Sequence, residues 1–237
     1  MESTSTVYLI PSFLDASALQ TIPAYVTDAI KSCEVFFVEN ERSARRFIKQ
    51  LSKDFIIDDH EWVTIHKTEA EMRPVLKEKI KAGKTIGVIS EAGCPGIADP
   101  GQLLVQLAQE MKAVVRPLVG PSSILLALMA SGMNGQRFQF VGYLPIDNHE
   151  RNKAIKELES ESAKKDCTQI FIETPYRNNQ LLEAIVKNCT ASTRICVAAD
   201  ITGPEEWIRT KTIAEWSKQK PELHKRQVIF CLHAGRQ

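Results

Sequence analysis

The apolar positions of this chain alternate between two spacings along nearly its whole length. Short runs at Val7–Ile10, Val35–Glu39, Trp62–Ile65, Thr85–Ser90 and Val114–Pro117 predict strands. Between them, Ala24–Ser32, Arg42–Leu51, Glu69–Ala82 and Gln102–Met111 carry the spacing of helices that bury one face. Gly83 follows the third of these helices, where a left-handed residue would end it. Strand–helix alternation of this kind predicts a mostly parallel sheet covered by helices. The pattern changes after Val119-Gly-Pro121. Ser122 and Ser123 are placed to cap a buried apolar helix over Ile124–Ala130. A strand over Phe138–Leu144 follows, then a charged helix over Glu150–Lys165 with Ala154, Ile155, Leu158 and Ala163 along its apolar side. Strands over Thr168–Ile172, Arg194–Ala199, Trp207–Thr210 and Gln227–Leu232 complete a second set, with hairpin pairing near the end. The expected fold class is α/β, with domains 1–118 and 119–237, the first sheet mainly parallel and the second mixed.

Charge and composition narrow the picture modestly. Lysine and arginine number 30 against 29 acidic residues, so no overall basic field draws in nucleic acid, and only a local patch could. Arg42, Arg45, Arg46 and Lys49 share one helix and read first as a solvated face balanced by Glu39 and Glu41. The six cysteines are scattered, with no C-x-x-C pair and no histidine at ligand spacing, so neither a metal site nor a disulfide framework is expected. The start of the chain lacks the basic and apolar regions of a signal peptide, and no apolar run approaches the roughly 20 residues that span a bilayer. A cytoplasmic protein without a membrane partner is expected.

The densest chemistry lies in Val88-Ile-Ser-Glu-Ala-Gly-Cys-Pro-Gly-Ile-Ala-Asp-Pro-Gly101. A strand stops at a loop holding Gly93, Gly96, Gly101, Pro95 and Pro100, and a helix follows. Open α/β sheets place ligands at such strand ends. Gly93 and Gly96 allow close approach to the main chain, and Glu91 can accept hydrogen bonds from a hydroxyl or an ammonium group.

This loop resembles the Ser-Asp-Ala-Gly-Thr-Pro…Ser-Asp-Pro-Gly signature of the tetrapyrrole (class III) methylase family, most nearly its bacterial branch that methylates a ribose 2′-hydroxyl of small-subunit ribosomal RNA. Val119-Gly-Pro-Ser-Ser123 resembles that branch's Pro-Gly-Pro-x-Ala/Ser. Ser131-Gly-Met…Arg137-Phe-Gln-Phe-Val-Gly-Tyr-Leu-Pro145 resembles Ser-Gly-Leu…Arg-Phe-x-Phe-x-Gly-Phe-Leu-Pro, and Glu173-Thr-Pro-Tyr-Arg177 resembles Glu-Ser-Pro-His-Arg. The resemblance implies two α/β domains with S-adenosylmethionine in the cleft between them, no metal, and a homodimer. It implies cofactor-binding positions at Pro11, Ser90, Glu91, Gly93, Ile97, Ala98, Ser122, Ser123, Ile124, Ala198 and Ala199. Glu39, Arg42 and Tyr176 are the candidate catalytic residues, and Asp200 is a further candidate base. The implied acceptor is ribosomal RNA or the small ribosomal subunit. A tetrapyrrole-like small molecule, or a domain that binds the cofactor without catalysis, are the alternatives.

The chain also departs from the family pattern. Where that branch has Thr-Pro-Ile-Gly-Asn-Leu, this chain has Ile10-Pro-Ser-Phe-Leu-Asp-Ala16, without glycine and with Phe13 adding bulk. Glu39-Asn-Glu-Arg42 replaces Glu-Asp-Thr-Arg. Val197-Ala-Ala-Asp-Ile-Thr-Gly203 lacks both basic residues of Val-Ala-Arg-Glu-Leu-Thr-Lys, which weakens phosphate grip there. The C-terminal extension of many ribosomal-RNA members is also expected to be missing.

Overall fold

The computed structural model describes residues 5–65 and 69–235. The chain forms two compact units, Met1–Ser122 and Ser123–Gln237. The first is built on strands β1 (Thr6–Ile10), β2 (Val35–Val38), β3 (Glu61–Thr64), β4 (Ile86–Ile89) and β5 (Val114–Pro117), in the order β3-β2-β4-β1-β5, with every pairing parallel. Helices α1 (Tyr25–Ser32), α2 (Glu41–Leu51), α3 (Arg73–Lys81) and α4 (Gln102–Glu110) connect them.

Alternation along the strands divides the core in two. Val35, Phe37, Ile86 and Val88 meet Leu76, Ile80, Leu104 and Leu107 of α3 and α4. Phe36, Val38, Ile10 and Ile89 meet Val26, Ile30, Phe47 and Ile48 of α1 and α2 on the other face. Buried on both sides, β2 and β4 are apolar without interruption, as parallel strands usually are. The expected helix over Glu69–Ala82 is in fact a 3₁₀ turn, Glu69–Met72, followed by α3. Pro74 explains the break, because proline fits the first turn of a helix but not its interior.

In the second unit, β6 (Phe138–Tyr143), β7 (Thr168–Ile172), β8 (Arg194–Ala199), β9 (Trp207–Thr212) and β10 (Val228–His233) form a mixed sheet, β6-β7-β10-β8-β9. Only β6 and β7 pair in parallel; β8 and β9 pair antiparallel as successive strands. The helices are α5 (Ser123–Ser131), α6 (Asn148–Lys165), α7 (Asn178–Asn188) and α8 (Ile213–Trp216). Trp216 is buried in the core with Phe171 and Phe230, and its indole N–H donates to Ile195 O at 3.0 Å.

Two expectations are corrected here and one element is added. The segment after β7 contains α7, which the apolar spacing did not reveal. Along α6, Ser162 is buried and Ala163 exposed, because Ser162 Oγ accepts the Ala234 amide at 2.9 Å. Helix α5 buries Ile124, Ala127, Leu128 and Ser131 but leaves Leu125 and Met129 in solvent, so it is only half buried. The six cysteines are free, and Cys33, Cys167, Cys196 and Cys231 are buried. Among the described residues, no helix is long and apolar enough to cross a membrane.

Gly87 gives a test of this packing. A Cβ there would lie 2.8 Å from Ile10 Cδ1 and 2.9 Å from the Phe36 ring, which is stacked on Trp62. Gly87→Ala should destabilise the first unit by about 1–3 kcal/mol, the usual range for overpacking, read as a lower urea midpoint by circular dichroism. An unchanged midpoint would show that the Phe36 ring yields freely.

Candidate functional site

Parallel strands all end at one edge of their sheet, so Pro11, Glu39, Ser90 and residues 118–122 leave β1, β2, β4 and β5 together. Hydrogen bonds weld these exits into one surface. Ser12 and Gly93 pair through both backbone bonds, Ser12 N to Gly93 O at 2.8 Å and Gly93 N to Ser12 O at 3.1 Å. Ser12 Oγ also donates to Ser90 O at 2.8 Å, and Ser90 Oγ to Gly93 O at 3.3 Å. The glycine-free first loop is therefore anchored by a serine. Phe13, expected to add bulk near the site, is partly buried edge-on to Phe47 at 5.3 Å and joins the core instead. The segment after β5 belongs to this edge as well. Val119 N donates to Tyr25 Oη at 2.6 Å, Cys94 Sγ donates to Pro121 O at 3.5 Å, and Gly120 packs on the Pro11 ring so closely that no Cβ would fit.

The loop between β4 and α4 has a determined backbone. Gly93, Gly96 and Gly101 all have positive φ, and so does Ala98 at 64°, a strained choice for a residue with a side chain. The amide and carbonyl of Gly93 are committed to Ser12, and the Ile97 amide to Cys94 O at 3.2 Å. What Gly93 offers a ligand is its missing side chain: a Cβ would find only Leu14 at 3.6 Å and Pro121 O at 3.7 Å. Ile97 and Ala98 are exposed.

Three carboxylates converge at this edge. Glu39 is half-buried directly after β2, and its Oε1 accepts the Glu91 amide at 3.1 Å. Asn40 takes the capping role at α2, accepting from Arg42 N at 3.0 Å and Ser43 N at 3.3 Å, while Ser43 Oγ donates to the Glu91 carboxylate. Burial raises the Glu39 carboxyl above its ordinary range. Burial, then the Glu39 and Glu91 charges, push Asp99 up to about 6. Arg42 is exposed on the first turn of α2, and Arg45 pairs with Glu41 and lies 5.1 Å over the Trp62 ring.

The remaining candidates belong to the second unit. Ser123 and Ile124 open α5, while Ser122 ends the first unit. Ala198 and Ala199 lie inside β8, paired on both sides and fully buried, with Ala199 facing the main core. Tyr176 is exposed just beyond β7. Asp200, at the end of β8, is held by Arg226 at 2.6 Å and by the Gln227 amide at 2.9 Å, which makes it an ion-pair partner.

Residues 17–216 match the model of the family Tetrapyrrole (Corrin/Porphyrin) Methylases. The chain belongs to this family. Two similar relatives, both named ribosomal RNA small subunit methyltransferase I, come from Vibrio cholerae serotype O1 and Bacillus subtilis (strain 168). The first is 28% identical over 236 residues, covering 97% of this chain and 77% of the relative. The second is 31% identical over 211 residues, covering 88% and 68%. The fold resembles the crystal structure of the methyltransferase CobJ, with a TM-score of 0.65 at 17% identity, covering 98% of this chain and 94% of that one. This tetrapyrrole methylase family member is thus an enzyme, a methyltransferase. Asp99 and the serines Ser12 and Ser43 were not singled out by spacing. Asp99 stands in the quoted Asp-Pro-Gly, yet its environment comes from burial and from the charges of Glu39, remote in sequence, and Glu91, in the same loop.

The Asp99 environment predicts a pH dependence. With the carboxyl raised from 3.8 to about 6 on folding, the folded chain holds more proton there than the unfolded chain between those values. The stability tied to this group is complete below about pH 4 and is lost as pH rises through about 6. Asp99→Asn removes that loss, so the variant should gain on the native protein as pH rises from about 4 through about 6 and hold level above it, measured as urea midpoints. Parallel profiles would refute the assignment.

Proposed function

We propose that this methyltransferase transfers the methyl group of S-adenosylmethionine to a ribose 2′-hydroxyl of small-subunit ribosomal RNA. The carrying observation is that a relative named as a ribosomal RNA small subunit methyltransferase aligns over 97% of the chain. The fold alone would not choose an acceptor. The reading carries with it the cytoplasmic location and the homodimer that the family implies.

The first-unit edge suits this cofactor. Its sulfonium and ammonium groups are cationic, and Glu39, Glu91 and Asp99 supply negative charge beside a loop opened by Gly93. S-adenosylmethionine supplies, when bound, a methyl group already activated by the positive sulfur. Pro11, Ser90, Glu91, Gly93, Ile97, Ala98 and Ser122 would hold it at the first unit's edge. The chain's own tasks are to orient the hydroxyl for in-line attack and to accept its proton. Glu39 and Asp99 are both held above the ordinary carboxylate range, the direction that suits a base working near neutral pH. Arg42, exposed one residue into α2, is placed to meet an anionic substrate.

Calorimetric titration with S-adenosylmethionine tests the cofactor assignment. Binding by the native chain should weaken at least tenfold in Glu91→Ala and in Gly93→Val, which forces a branched side chain onto φ 75°. Binding that both variants retain would move the cofactor elsewhere. The acceptor assignment needs a separate assay, methylation of purified small subunits with the product mapped as an alkali-resistant phosphodiester. Glu39→Gln should lower kcat by about 10²–10⁴, the scale of general-base loss. Cofactor binding without transfer to small-subunit RNA would refute this acceptor.

A further inference from the structure

The turn after β7 holds an arrangement that methyl transfer itself does not require. Tyr176 is 67% exposed, an open position for so large a ring. It meets the exposed His224 edge-on, at 5.6 Å and 69°. The two turns that carry these rings are fastened together. Lys225 N donates to Pro175 O at 2.9 Å, and Asn178 Nδ2 to Arg226 O at 2.8 Å. Asn179 accepts the Leu223 amide at 2.8 Å and donates to Glu222 Oε1 at 2.5 Å. Lys225 is itself held at φ 64°, a left-handed conformation that a lysine adopts only under constraint.

Charge at this edge follows the same plan. Arg177 donates through Nε and Nη2 to Glu173 Oε1, at 3.1 and 2.7 Å, which leaves Nη1 outside these bonds. The Glu173 side chain is fully buried, and its Oε2 has no partner, so the carboxylate is kept at a cost in order to hold the guanidinium. Of the other acids, Asp200 is paired with Arg226, while Glu222 accepts from Asn179 and the His224 amide and keeps its negative charge at this edge. The exposed ring thus stands next in sequence to Arg177, which is paired with Glu173, and on a turn fastened to the one that carries Lys225.

Single-stranded nucleic acid is recognised by this combination, bases on aromatic rings and phosphates on cations. We propose that Tyr176 stacks on an unpaired base of the RNA substrate while Arg177 and Lys225 take the adjoining phosphates. This rests on the RNA reading above and adds the residues that grip the strand. It also supplies basic contacts on the second unit, where the segment from Val197 to Gly203 lacks them.

The test is a short single-stranded oligoribonucleotide carrying 2-aminopurine, whose fluorescence is quenched on stacking, titrated into the full-length protein. The native chain and Tyr176→Phe should quench it alike. Tyr176→Ala should lose the quench and bind about 5- to 150-fold more weakly, the scale of base–aromatic stacking. Lys225→Ala should keep the quench while the slope of log K against log salt falls by about 0.7. Tyr176→Ala binding and quenching like the native chain would overturn this proposal alone. A native chain that binds neither the oligonucleotide nor small-subunit RNA would overturn it together with the substrate reading.

Discussion

Parallel pairing of β1, β2 and β4 is the constraint on which the first unit's chemistry depends. Strands that run the same way cannot be joined by hairpins, so each must return through a helix and release its loop at the same edge. Pro11, Glu39 and Ser90 are remote in sequence yet emerge side by side for that reason. The two helix layers, one on each face, bury the sheet that enforces it. The second unit, with its mixed sheet, brings β7 and β8 to a common edge by placing an antiparallel strand between them.

Within that frame, short polar side chains do the joining. Ser12 closes the first loop onto Gly93 and Ser90, and Ser43 and the Glu91 amide tie α2 and β2 to the β4 exit. The result brings like charges together instead of separating them. Burial first, and then the neighbouring charges, raise the carboxyls of Glu39 and Asp99. Carboxylates gathered in this way mark a candidate ligand site.

Much of this was legible in the amino-acid pattern, and the gaps have physical causes. The uninterrupted apolar runs of β2 and β4 announced doubly buried strands, and the glycines at 93, 96 and 101 announced a specified loop. Helix α7 was hidden because it opens with Asn178 and Asn179, poor helix formers whose side chains hold the neighbouring turn. Helix α5 looked buried because its residues are apolar all round, whereas its packing uses only one face. The Ser12–Gly93 bridge and the Asp99 environment are tertiary in origin, joining positions that no local spacing relates.

The place of β10 has a consequence for how the protein is made. It follows every other strand in the chain, yet it lies between β7 and β8. Until it emerges from the ribosome, the second sheet is two separate ribbons, β6–β7 and β8–β9, each with an open inner edge. The first sheet waits in the same way for β4, which joins the β2–β3 ribbon to β1, but that wait ends before the second unit begins, and β5 then adds only to its outer side. The amino-terminal half can therefore close during synthesis, while the carboxy-terminal half stays vulnerable to pairing with other chains until its last strand arrives.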